Sequence, residues 1–81
     1  MVQVGTGPNW YALARCESGN NPKIVSSAGY YGLYQFGVST WHSVGGKGLP
    51  TDWGRHEQTL RAWKLFQHRG QAPWPVCGRL L

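Results

Sequence analysis

The sequence predicts a small α+β domain, mostly helical, with a short β-hairpin or loop and one disulfide. Three observations carry that expectation. Segments from Asn9 to Glu17 and from His56 to Arg69 repeat apolar residues at helical spacing. Between them, a glycine-punctuated run from Pro22 to Phe36 is too broken for a helix. Two cysteines, Cys16 and Cys77, lie 61 positions apart toward the two ends of the chain.

Size sets the frame. A chain of 81 residues makes one domain. Such a chain hides only about 60–65% of the surface its unfolded form exposes, so a covalent staple is expected to supplement the core. Twelve glycines and five prolines argue for short elements joined by loops. A hydrophobic content of 41% is too high for disorder, yet no apolar run approaches the roughly 18 residues of a membrane span. The expected organisation is a flexible lead-in over 1–8, a folded domain over 9–78 and a short tail over 79–81.

The elements follow in order. Asn9 is placed to cap a helix whose residues Trp10, Leu13, Ala14 and Glu17 share one face. Gly19 and the following Asn-Asn-Pro stop it. Around Tyr30-Tyr31, Gly29 and Gly32 give a tight loop or hairpin. Ser39 is a candidate cap for a short helix through Thr40 to Val44, ended by Gly45-Gly46, and Lys47 to Asp52 is then a loop. The long helix from about His56 to Arg69 carries Leu60, Trp63 and Phe66 for burial, Glu57 four residues before Arg61 as an ion pair, and Gly70 as its stop. Prolines keep Gln71 to Gly78 extended.

Two readings of the cysteines are open: two unrelated thiols, or a bridge. A bridge between such distant positions would tie the domain's ends together and add roughly 4 kcal/mol in the chain-entropy model, comparable to the margin of so small a domain. Position favours the bridge, and with it an oxidising, extracytoplasmic setting. Met1 to Gly5 has neither the basic start nor the long apolar stretch of a secretory signal, so the signal was removed or the segment belongs to a longer chain.

Only three acids are present. Asp52 in a polar loop suits a turn or cap, and Glu57 in a first helical turn beside Arg61 suits a structural pair. Glu17 differs. It shares the apolar stripe of its helix, in the last turn, where the helix dipole disfavours an ionised carboxylate. Such placement desolvates a carboxyl group and raises its pKa, which suits a general acid. A buried acid satisfied by backbone amides is the competing structural explanation. A glycosidase of the usual kind would need a second carboxylate, which only Asp52 or Glu57 could supply.

Tyr30, Tyr31, Tyr34, Trp41 and Trp74 exceed what so small a core can hide, so rings are expected on a cleft wall facing sugars, while Trp10 and Trp63 are assigned to the core. Gln35 and Thr40 add neutral hydrogen-bonding groups nearby. His42, His56 and His68 lack zinc-ligand spacing, so no metal is expected, and no other cofactor. The net charge of +5 is spread over scattered Lys23, Lys47, Arg55 and Arg79, which argues against nucleic acid and agrees with adhesion to an anionic envelope.

The blocks Cys16-Glu17-Ser18-Gly19, Gly29-Tyr30-Tyr31-Gly32, Gln35-Phe36, Ser39-Thr40-Trp41, Gly45-Gly46, Glu57-Gln58 and Trp74-Pro75-Val76-Cys77-Gly78 resemble, in order and spacing, the catalytic domain of bacterial resuscitation-promoting factors. Glu17 to Pro22, with Ala28-Gly29 and Gly32 to Gln35, also resembles the wider lytic transglycosylase pattern. The resemblance implies a lysozyme-like fold that cleaves the β-1,4 bond between N-acetylmuramic acid and N-acetylglucosamine in peptidoglycan. It carries the catalytic acid onto Glu17, the disulfide onto Cys16 and Cys77, and substrate contacts onto Tyr30, Gln35, Thr40 and Trp74. Lytic transglycosylases work with one carboxylate, which agrees with an acid-poor chain. Muramidase-type hydrolysis and a silent peptidoglycan-binding module are the alternatives. The implied setting is secreted or cell-wall associated, as a monomer without a membrane span, with glycan strands as partner and another cell-wall hydrolase as a further candidate. Two departures stand out. Tyr34 brings a bulky ring where the family has a glycine-rich Leu-Gln-Phe, and Arg69-Gly70 replaces the Gln-Gly of many members.

Overall fold

The first helix begins where a side chain replaces a missing backbone acceptor. In a computed structural model describing residues 7–81, the Asn9 side chain accepts a hydrogen bond from the Ala12 N–H (3.1 Å), and α1 runs Trp10–Ser18. Gly19, at φ 66°, turns the chain left-handed, so its N–H reaches Arg15 O (3.0 Å) and the Asn20 N–H reaches Ala14 O (3.1 Å). Leu13 and Ala14 on this helix are fully buried. Most of the expected lead-in lies outside the described residues.

The next segment is a tight loop. Among the described residues its only β-pairings are isolated antiparallel bridges, Val25 with Tyr31 and Tyr31 with Phe36. Tyr31 and Phe36 exchange both backbone hydrogen bonds at 2.9 Å, and the turn between them delivers Leu33 and Tyr34 into the core. Helix α2 spans Val38–Ser43, two residues earlier than a Ser39 cap would place it. Extended Gly37 takes the capping position, its carbonyl accepting from the Trp41 N–H (2.9 Å), and Ser39 falls inside the helix. After a short 3-10 turn at Pro50–Asp52, α3 runs Arg55–Arg69 and a second 3-10 turn, Cys77–Leu80, follows.

The core joins Leu13 and Ala14 to Leu33, Tyr34, Phe36, Trp41, Ala62, Leu65, Trp74 and Cys77. Trp10 sits edge-on to Tyr34, Phe66 and Trp74 at centroid distances of 5.7, 5.9 and 6.0 Å, a cluster in which ring edges meet ring faces. Leu81 packs back against this core. Cys16 and Cys77 form the disulfide, with Cα atoms 5.8 Å apart, and so bind the end of α1 to the last turn of the chain.

Three expectations about large side chains need correction. Trp41 is 0% exposed, a core residue and not a cleft wall, and Tyr34, 2% exposed, belongs to the core while only bordering a surface depression. Each has a partner for its polar tip: Tyr34 OH meets Thr59 Oγ1 at 2.7 Å and Trp41 Nε1 donates to Lys47 O at 3.1 Å. Trp63, expected inside, is 42% exposed. The face of α3 that turns inward is Gln58, Ala62 and Leu65. Gln58 is fully buried because its amide is fully used: Oε1 accepts from the Leu33 N–H (2.8 Å), and Nε2 donates to Pro22 O (3.0 Å) and Trp53 O (2.8 Å). A side chain at position 32 would collide with that amide, so the glycine there permits the contact.

Candidate active site

Glu17 occupies the last turn of α1, immediately after the disulfide cysteine. Its half-buried carboxyl lines a groove of about 390 Å³ together with Tyr30, Gln35 and the stretch Pro73 to Cys77. Burial pushes this carboxyl above its ordinary value. No described residue forms an ion pair or hydrogen bond with it. The group therefore holds its proton to higher pH than a surface glutamate, beside whatever occupies the groove.

The walls are set by backbone geometry. Gln35 adopts φ 54°, uncommon for a residue with a side chain, and its amide Nε2 donates to Gly32 O at 3.1 Å. That leaves its side-chain oxygen as the acceptor available to a ligand. Trp74 is only 3% exposed, with its Nε1 donating to Tyr34 O (3.1 Å), so the indole is fixed and offers the groove one flank. Tyr30 is 48% exposed at the mouth. The groove continues into a second depression of about 220 Å³, which shares Tyr30, Gln35, Pro73 and Trp74 and reaches Thr40 and Arg69.

The structure thus brings Glu17, Tyr30, Gln35 and Trp74 to one groove and places Thr40 on its continuation. Cys77 doubles as groove wall and disulfide partner. The other two acids are occupied elsewhere: Asp52 Oδ2 accepts from the Leu49 N–H (2.9 Å), and Glu57 pairs with Arg61 Nε at 2.8 Å. Neither lines the groove or its continuation. A separate hollow of about 410 Å³ beside Tyr11, Arg15 and Leu80 has no carboxylate in its lining.

Residue-type reasoning missed Pro73, Pro75, Val76 and Arg69 as lining residues. The prolines flanking Trp74 were a usable signal, since their fixed φ holds a ring on each side of the buried indole. The extended course expected for Gln71 to Gly78 is corrected, because this stretch folds as successive turns in which the Trp74 N–H donates to Gln71 O (2.9 Å) and the Gly78 N–H to Trp74 O (2.7 Å). Arg69 stood out only as a departure from the family's Gln-Gly and is not among the expected contacts, because by residue type a basic residue ending a helix is ordinarily explained by the helix dipole.

A family model described as a transglycosylase-like domain matches residues 4–77, and the chain belongs to that family. The chain is 42% identical over 78 residues to resuscitation-promoting factor RpfE of Mycobacterium tuberculosis, covering 96% of this chain and 45% of that protein. It is 38% identical over 78 residues to RpfC of the same species, covering 96% and 56%, and 39% identical over 80 residues to Rpf of Micrococcus luteus, covering 99% and 36%. These similarities bear out the resemblance to a resuscitation-promoting factor domain. The chain spans between about a third and just over half the length of these relatives.

Proposed function

We propose that this domain cleaves the β-1,4 bond between N-acetylmuramic acid and N-acetylglucosamine in bacterial peptidoglycan as a lytic transglycosylase, with Glu17 as its only acid and base. The observation that carries this reading is a desolvated carboxyl group in a ring-lined groove that neither other acid lines. Family membership supports the same class.

In this mechanism the protonated Glu17 donates to O4 of the departing N-acetylglucosamine as the bond from that oxygen to muramyl C1 breaks. The resulting carboxylate then takes the proton from the muramyl C6 hydroxyl, whose oxygen bonds to C1. The products are a 1,6-anhydromuramyl end and a free 4-hydroxyl, and no water is consumed. Tyr30 and Trp74 offer ring surface to the sugars, Gln35 accepts from a sugar N–H or O–H, and Thr40 holds the strand on the continuation of the groove. The Cys16–Cys77 disulfide supports a workplace outside the cytoplasm.

Digestion of purified sacculi followed by mass spectrometry tests the proposal. Anhydro ends are expected. New reducing ends would establish hydrolysis instead, and no new ends at all would leave a binding module.

A further inference from the structure

Arg69 ends α3 and is exposed, and it borders the continuation of the groove, which shares walls with the compartment that holds Glu17. A ligand long enough to pass from Glu17 along Tyr30 and Trp74 toward Thr40 therefore meets Arg69. Among the residues lining the two depressions, only Glu17 and Arg69 can carry charge near neutral pH. The ion pair among the described residues is Arg61 with Glu57, and Arg69 donates to no described residue. Service to the helix dipole does not explain its position, because His68 lies in the same last turn and borders neither depression.

We propose that Arg69 is a specificity-determining residue that pairs with a carboxylate on the bound strand, so that the domain prefers glycans bearing free acids to neutral ones. This rests on the glycan-cleaving function proposed above. A guanidinium presents a planar fork that matches a carboxylate, and a partly walled site strengthens the pair relative to open water. The carboxylate has two possible sources in such a polymer: the lactyl group of a muramyl unit stripped of its peptide, or an acidic residue of the peptide stem. Burial disfavours the charged form of Glu17, which lessens its repulsion of an acidic strand.

The test uses Glu17→Gln protein, which retains the groove without turnover, titrated calorimetrically with four soluble oligosaccharides of equal length. One carries free lactyl acids, one carries stems with free carboxylates, one carries fully amidated stems, and one is a neutral chito-oligosaccharide. Adding Arg69→Gln is expected to weaken binding of an acidic ligand by about fivefold, to leave the neutral and amidated ligands unchanged, and to lose most of its effect in about 1 M salt. Adding Arg69→Lys should keep part of the preference. Which acidic ligand responds identifies the source of the carboxylate. Equal weakening of all four ligands, or no weakening of either acidic one, overturns the assignment of Arg69 while leaving the glycan function standing. Failure of every oligosaccharide to bind with Arg69 intact overturns both.

Discussion

Glu17 and Glu57 sit at opposite ends of their helices and meet opposite fates. Glu57, in the first turn of α3, faces a partial positive charge and pairs with Arg61, whose Nη1 also donates to Val44 O at 3.0 Å. That carboxylate is fastened to structure. Glu17, in the last turn of α1, borders an open groove without a described partner, and burial makes its charged form unfavourable. The difference teaches that chemical availability of an acid comes from what its surroundings withhold. The same residue type becomes a strut where cations and dipoles meet it and a proton donor where they do not.

The sharpest way to break this contrast is to neutralise each acid in turn. Glu17→Gln should reduce sacculus cleavage by at least about a thousandfold, while Glu57→Gln stays within about twofold of wild type, both read by release of soluble muropeptides. Equal losses would end the distinction. Next in size is the staple beside Glu17. Replacing both Cys16 and Cys77 by serine should lower unfolding free energy by about 4 kcal/mol in urea titrations. An unchanged midpoint would show that the end of α1 is held without the bridge. On the Glu57 side, Gln58→Ala should cost about 2–4 kcal/mol, since it empties buried space and strands the Leu33 N–H and two carbonyls.

The smallest effects separate the acids by sign. Because burial raises the Glu17 carboxyl, the folded chain holds that proton more tightly than the unfolded chain. The resulting stabilisation is complete below the ordinary carboxylate range and is lost as pH rises through the raised value. Glu17→Gln should therefore melt slightly above wild type at neutral pH and coincide with it in acid, followed by calorimetry across pH. Glu57→Gln should instead lose about 0.3–0.5 kcal/mol at neutral pH, the usual worth of a helical ion pair.

Local rules made much of this legible. Asn9 and Gly19 bound α1 because capping needs only the residue at the boundary. Glu17 stood out because an acid on an apolar stripe contradicts its own surroundings. Tertiary packing decided the rest. Spacing on α3 favoured Leu60, Trp63 and Phe66, but the inward face was claimed by Gln58, a polar residue whose burial depends on acceptors from Pro22 and Trp53 and a donor from Leu33. No periodicity announces that. The rings were divided likewise: Trp41 and Tyr34 went inside because Lys47 O and Thr59 met their polar tips, and Trp63 was left outside. At the site, Tyr30, Gln35 and Trp74 came together as their order suggested, whereas Arg69 entered through the direction of α3 in space.

The backbone at Gln35 has one more consequence. Its left-handed twist, at φ 54°, is one that glycine adopts freely and that a residue with a side chain adopts only at a penalty of about 1–2 kcal/mol. Durability and grip consequently compete at a single position. Trimming the amide away would make a hardier molecule with a barer threshold, and keeping it commits the protein to carrying tension at its own doorway.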